Sequence, residues 1–220
     1  MDFANAFKFL QKLSRNNNRE WFEKNKDQWL QIKTSFEGFI SDVYDKLCEI
    51  DPPLSGQDPK KLVFRIYRDV RFSKDKRPYK TFLSAGISPV GKGIGVPGYY
   101  IQFEPGNRSF LCTGLYAPSA EALAKVRQEI DYNGSELKKI LSDRSFRKYY
   151  DGFWEGDPLK TAPKGYPKDH EYIEWLKLRH FVVMHPLSDQ TVLAKNFRTQ
   201  LLKTLAAGKP FRDFLMHALE

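Results

Sequence analysis

The chain has 220 residues, 41% hydrophobic and 15% aromatic, which is enough apolar material for a sizeable core and excludes global disorder. Its 36 Lys and Arg against 27 Asp and Glu give a formal charge of +9, compatible with nucleic acid, an anionic membrane or phosphorylated ligands. No run approaches the ~18 apolar residues of a spanning helix, the N-terminal MDFANAFKFL has neither a basic n-region nor a long apolar h-region, and Cys48 and Cys112 lack CxxC spacing, so a cytoplasmic protein with free thiols and no membrane association is expected.

In chain order, Phe3, Phe7 and Leu10 form one apolar stripe with Asp2 as N-cap, predicting a short first helix. Asn16-Asn17-Asn18 breaks it. Trp29, Ile32, Phe36, Ile40, Val43, Leu47 and Ile50 recur at steps of three and four, the strongest helical period in the chain, with Trp21 and Phe22 in its first turns. Asp51-Pro52-Pro53-Leu54-Ser55-Gly56 ends this helical region, 1–50. Region 60–116 reads as strand-rich. Leu62, Phe64 and Ile66 alternate with Val63, Arg65 and Tyr67 as a half-buried strand requires, which puts Arg65 and Tyr67 opposite the core. Thr81 to Ser88, Tyr99 to Glu104 and Arg108 to Tyr116 read as further strands, the last two joined by the hairpin turn Pro105-Gly106-Asn107.

Ser119 caps a helix carrying Leu123, Val126 and Ile130, and Asn133-Gly134 reads as a turn before a second helix with Leu137, Ile140 and Leu141, so 118–150 is helical. The Gly- and Pro-punctuated stretch 151–168 is irregular. In 169–219 a helix at Glu171 to Leu176 leads into a strand, Arg179 to His185, closed by Pro186. A helix with Val192, Leu193, Phe197, Leu201 and Leu205 comes next, and Gly208-Lys209-Pro210 separates it from a last one with Phe211, Phe214, Leu215 and Leu219. The expected fold is one α+β domain over 1–220, a mostly antiparallel sheet of four to six strands packed against N-terminal and C-terminal helices.

The charge is not spread evenly. Lys60 to Lys80 holds nine basic residues (Lys60, Lys61, Arg65, Arg68, Arg71, Lys74, Lys76, Arg77 and Lys80) against Asp69 and Asp75, a local +7. The other 199 residues are nearly balanced, 27 basic against 25 acidic. Such a run calls for acidic neighbours or a bound anion. Arg guanidiniums make bidentate contacts to phosphate or carboxylate and Lys acts as a point charge, so Arg65, Arg68, Arg71, Lys74, Lys76, Arg77, Tyr79 and Lys80 are candidate anion-binding residues. The competing reading pairs the arginines with carboxylates, Asp69 and Asp75 among them. Phe64, Tyr67, Phe72 and Tyr79 either pack as core or stack on bases. Lys160, Lys164 and Lys168, in the irregular stretch, are candidates for the same pocket.

Several stretches together resemble a largely bacterial family, domain of unknown function 2461. They are Asn17-Asn18-Arg19-Glu20-Trp21-Phe22, the run from Arg65 to Lys76 with Pro78-Tyr79-Lys80, Gly98-Tyr99-Tyr100, Gly114-Leu115-Tyr116, and Leu159-Lys160 with Pro163-Lys164-Gly165-Tyr166. The resemblance spans nearly the full length and implies a single conserved domain. No activity comes with it.

Other motifs carry less. Gly91-Lys92-Gly93-Ile94-Gly95-Val96-Pro97-Gly98 contains a formal GxGxxG, but a strand rather than a helix comes after it, so a flexible hairpin loop is expected, able to act as a lid beside the basic motif. His180 and His185, five apart on a predicted strand, point to opposite faces. His170 sits in an acidic helix start and His217 has no partner nearby in sequence. No metal-ligand spacing exists, so no metal or cofactor is expected. Cys112 as a nucleophile stands against a buried strand cysteine. Asp69 and Asp75 are the candidate acid/base groups beside the arginines. The reading is recognition of a phosphate-bearing or other anionic ligand through the Arg/Lys motif. The alternatives are an enzyme acting on a phosphorylated or carboxylated small molecule, a nucleic-acid-binding protein, and a structural ion-pair network.

Overall fold

Helix formation at the N-terminus is set by the caps. In the computed structural model, which describes residues 1–154 and 156–220, α1 runs Phe3–Arg15 and the Asp2 carboxylate accepts from the Asn5 N–H at 3.0 Å. Asn18 caps a separate short helix, α2, Arg19–Lys24, by accepting from the Trp21 N–H at 2.9 Å. Trp21 and Phe22 therefore belong to α2 and not to the long helix: the chain leaves helical geometry at Asn25 before α3, Lys26–Ile50, begins. The predicted seven-residue stripe of α3 holds except at its end, where Ile50 is exposed. Asp51 to Leu54 closes the region with a turn of 3₁₀ helix.

The half-buried strand expected at 62–67 does not form. Asp58 caps, and Pro59 starts, a single turn of helix, α4, Pro59–Leu62, which takes Leu62 out of any strand. Beyond α4 the chain forms an extended arm with interrupted pairing. Val63 bridges Ala85, the Phe64 N–H donates to Ser84 O, and Tyr67 pairs with Tyr79. Pro78 deprives the return leg of a donor. The alternation survives nonetheless, with Ile66 buried and Arg65 and Tyr67 exposed.

Among the described residues four strands make one antiparallel sheet in the order β1-β2-β3-β4: β1 Leu83–Ile87, β2 Gly98–Phe103, β3 Ser109–Leu115 and β4 Phe181–Leu187. The fold class is α+β, as expected, and the sheet is at the small end of the expected range. The β2–β3 turn has Gly106 and Asn107 at positive φ, the left-handed geometry that those residues tolerate. β4 continues through Pro186 instead of stopping before it. As a sheet edge it has no neighbour demanding that N–H.

Of two further breaks read from the sequence, one persists and one is absent. Helix α5, Ala120–Ser142, capped by Ser119, is two helical segments joined across a kink at Asn133, whose backbone (φ −123, ψ 26) is not helical, so the expected Asn133-Gly134 turn survives as that kink. Helix α9 runs Phe197–His217 through Gly208 and Pro210. Both glycines serve close packing. A Cβ on Gly134 would lie 2.3 Å from the Tyr172 ring, and one on Gly208 would lie 2.6 Å from Thr113 Oγ1. The remaining helices are short: α6 Arg144–Arg147, α7 Ile173–Leu176 and α8 Asp189–Leu193. Glu155, inside the stretch read as irregular, lies outside the described residues.

The chain packs as two compact units interleaved in sequence. The first comprises Met1–Lys92, Tyr100–Leu111 and Pro186–Leu202. Its core includes an edge-to-face cluster in which Phe3 meets Phe39, Phe103 and Phe197 with ring centroids 4.8–5.5 Å apart. The second comprises Gly93–Tyr99, Cys112–His185 and Lys203–Glu220. Leu115, Val126, Ile130, Leu137, Phe181 and Phe211 are fully buried at its centre. Among the described residues no helix is long and apolar enough to cross a membrane.

The glycine geometry gives a paired prediction. Gly38, exposed in α3, has nothing within 4 Å of a built Cβ, so Gly38→Ala gains about 0.5–1 kcal/mol from helix propensity. Gly134→Ala makes the same propensity gain but drives a methyl into Tyr172, and a net loss of about 1–3 kcal/mol is expected. Urea melts of the two variants check the opposite signs.

Candidate functional site: a basic arm with a paired tip and an unpaired root

The arm is pinned by Asn17. Its side-chain amide donates to Tyr79 O at 2.9 Å and accepts from the Tyr79 N–H at 3.1 Å, across 62 residues of sequence. The Tyr79 ring stacks flat on Phe22, centroids 4.0 Å apart, and is buried. Tyr79, a candidate ligand residue in the sequence, is therefore an anchor. Two more backbone bonds, Lys80 N–H to Ile66 O and Arg68 N–H to Pro78 O, hold the legs together, and residues 69–77 form the tip.

At the tip the arginines find carboxylates. Arg71 grips Asp69 through Nε (3.0 Å to Oδ1) and Nη2 (2.6 Å to Oδ2). Arg77 grips Asp75 in the same fork, at 3.0 and 2.7 Å. Arg68 joins Asp75 Oδ2 at 2.7 Å and donates to Arg77 O at 3.1 Å. These are the charge-assisted, bidentate geometries that guanidinium favours. The Arg71 guanidinium and N–H hold the Asp69 carboxyl down at about 2, with Arg65 adding to the effect. Arg77, then Arg68, hold Asp75 well below the usual carboxylate range. Carboxyls so stabilised in the ionised form are poor general acids and weak bases near neutrality. Lys76 donates to Val70 O at 3.0 Å, and Lys74 is exposed with no partner among the described residues. Phe72 stands almost fully in solvent, 96% exposed, beneath the Arg71 guanidinium at 5.9 Å.

The root is different. The Lys80 ammonium lies 5.2 Å from the Phe64 ring centroid and 5.7 Å from that of Phe82, while Lys92 sits 5.1 Å from Phe64. Neither lysine, nor Arg65, makes an ion pair among the described residues. Burial lowers the Lys80 pKa below its ordinary value, and the Arg65 and Lys92 charges push the same way. Lys80 and Lys92 thus share the Phe64 ring with Arg65 nearby, and among the described residues neither lysine has a carboxylate partner, while Arg65 acts on Asp69 only through space. Cation–π attraction offsets part of their repulsion. Lys92 escaped sequence reasoning because it belongs to the glycine loop. Gly86 brings it in: a Cβ there would meet Lys92 O at 2.3 Å, so only glycine lets the loop backbone close on β1.

The other candidates fall in the second unit or play structural parts. Lys160 and Lys164 are exposed there, in the stretch between α6 and α7. Burial raises the Cys112 thiol to about 12, which removes thiolate reactivity near neutral pH. His170 bonds Asp131 at 2.8 Å and accepts from the Tyr172 N–H, while His185 Nδ1 contacts Tyr149 O at 2.6 Å. His180 precedes β4, so the opposite-face argument from a shared strand does not apply to it. Among the described residues no group of three or more His, Cys, Asp or Glu side chains is placed to hold a metal ion.

Residues 5–214 match the family of conserved hypothetical proteins DUF2461, and the chain belongs to that family. Comparison with curated proteins and with solved structures returned no match.

The arm separates structural from expendable arginines. The Arg68 side chain is only 25% exposed and holds both a carboxylate and a carbonyl, whereas Arg71 is 76% exposed and holds only Asp69. Arg68→Gln is expected to cost about 1–2 kcal/mol, while Arg71→Gln leaves the urea midpoint within error. Equal losses from the two would contradict this division.

Proposed function

We propose that the protein recognises a phosphate-bearing anion at the arm root, through Arg65, Lys80 and Lys92. The observation that carries this reading is the unbalanced cation cluster: a half-buried ammonium beside two like charges, with aromatic rings but, among the described residues, no carboxylate partner. Such an arrangement is electrostatically costly as it stands, and an anion with several oxygens relieves it. The tip contributes less to this site than its sequence implies, because Arg68, Arg71 and Arg77 are already engaged by Asp69 and Asp75. The free thiols of Cys48 and Cys112 support a cytoplasmic setting for this role.

The test is a thermal-shift titration with pyrophosphate. A ligand bound only by the native state raises stability by RT ln(1 + [L]/Kd). Lys80→Gln is expected to weaken the response about 10-fold or more, and Lys92→Gln likewise. Lys8→Gln, on the exposed face of α1, leaves it intact. The sign without ligand is also fixed. A lysine whose folded pKa is depressed costs stability wherever it is charged, and that cost fades as pH rises through its folded pKa toward the unfolded value. At neutral pH Lys80→Gln therefore melts higher than wild type when no anion is present. A wild type unmoved by pyrophosphate, with the fold intact, removes the reading.

A second reading, single-stranded nucleic acid, is favoured by Phe72 alone, since a fully exposed ring beside Arg71 offers a stacking platform next to basic side chains. Here log affinity falls linearly with log salt at a slope of about −0.7 per phosphate, and Phe72→Ala costs about 1–3 kcal/mol of binding. Filter binding at several salt concentrations checks both.

A further inference from the structure

The second unit holds a cavity of about 330 Å³ whose lining the basic motif does not share. Ala117, Pro118, Leu123 and Leu159 form its apolar side. Arg127, Arg179, His180 and Asp157 form its polar side. The volume suits a small organic molecule rather than a lone ion.

The hydrogen bonds at the polar side determine what is left to offer a ligand. The Ala117 N–H donates to His180 Nδ1 at 3.0 Å, aimed by an Ala117 backbone at φ +49. Nδ1 is therefore an acceptor, and the ring hydrogen sits on Nε2, which faces Asp157 Oδ1 at 3.2 Å. The ring stacks on Tyr116 with centroids 4.8 Å apart. The other Asp157 oxygen takes Arg179 Nη1 at 3.1 Å. Asp157 thus serves Arg179 and His180 together. Arg127 has no carboxylate partner among the described residues. Its Nε donates to Leu176 O at 2.8 Å and its Nη2 to Leu178 O at 3.2 Å, leaving Nη1 without a protein partner among the described residues. Burial lowers the Arg127 pKa from its ordinary value. The carbonyl bonds fix the guanidinium plane, so it is preorganised as well as unbalanced.

We infer that this cavity binds a small monocarboxylate with an apolar body, its carboxylate on Arg127 and its body against Leu123 and Leu159. Charge selects the class. Two guanidiniums against one carboxylate, beside an imidazole whose Nδ1 accepts a backbone N–H, leave the lining one positive charge in excess. A monoanion completes it, whereas a phosphate dianion brings a surplus negative charge beside Asp157. The apolar wall selects the body, because a hydrated inorganic anion gains nothing from Leu123 and Leu159. No residue of this site lies in the arm, so the inference stands apart from the phosphate reading.

Benzoate is the probe, benzamide its neutral counterpart, and heteronuclear NMR titration of the full chain the readout. Saturable benzoate binding that shifts the amides of Ala117 and His180 is expected, with benzamide at least 10-fold weaker. Arg127→Gln weakens benzoate at least 10-fold. Because Arg127 also ties down two carbonyls, Leu159→Trp provides a second variant that fills the cavity and keeps every charge, and it too abolishes binding while the far-UV circular dichroism stays native. Absence of benzoate binding to folded wild type overturns the inference. So does equal binding of benzamide, displacement of benzoate by equimolar inorganic phosphate, or benzoate affinity unchanged in Leu159→Trp.

Discussion

The pair of hydrogen bonds between the Asn17 amide and the Tyr79 backbone is the constraint on which the basic arm depends. A side-chain amide can donate and accept at once, so one residue replaces a missing strand neighbour for Tyr79. With the backbone held, the Tyr79 ring lies on Phe22 and Lys80 is placed in fixed register. From there its ammonium lies 5.2 Å from the Phe64 ring centroid and 5.7 Å from that of Phe82. The distance from Asn17, a helix-ending residue, to the cation cluster is thus a short chain of contacts within the first unit. Each step is packing or hydrogen bonding, and the electrostatics at the end is their consequence.

A segment of charge +7 is tolerated because it is divided. Asp69 and Asp75 are spaced so that each faces an arginine two residues on, and the forked geometry closes locally without help from the rest of the fold. Those pairs are exposed and contribute little to stability. Their effect is to occupy the tip arginines and, among the described residues, to leave Arg65 and Lys80 without an ion-pair partner. Lys92 then adds a third positive charge at the root. The same logic runs at smaller scale in the second unit, where Asp157 satisfies Arg179 and His180 and leaves Arg127 unmatched. In both places an aspartate shared among cations leaves a neighbouring cation without a carboxylate among the described residues.

Much of the fold was legible where a single physical rule governs. The period of α3, the caps at Asp2 and Ser119, and the hairpin at Gly106-Asn107 each depend on neighbours in sequence. The errors came where tertiary contact overrides local preference. Gly208 has the look of a helix stop, yet α9 runs through it and Thr113 occupies the space a side chain would need, whereas the turn read at Asn133-Gly134 survives as a kink. Leu62 fits an alternating strand, but the Asp58-Pro59 helix start captures it. For the candidate site, the Arg and Asp residues of the arm were visible as a charge run, and so was the choice between pairing and anion binding. Which arginines pair was not visible, because it depends on how the chain turns at the tip. Lys92, Arg127 and Arg179 carried no signal, since isolated basic residues in a chain with 36 of them acquire meaning only through what surrounds them.

The central claim is that Lys80 sits, charged and without an ion-pair partner among the described residues, between other cations and apolar rings. Its ammonium titration, followed by NMR of ¹³C-labelled lysine with Lys80→Gln as the assignment control, measures this directly. The account predicts that Lys80 titrates below the ordinary lysine value in the free protein and moves upward when pyrophosphate is present. An ordinary value in the free protein, unchanged by pyrophosphate, would contradict it.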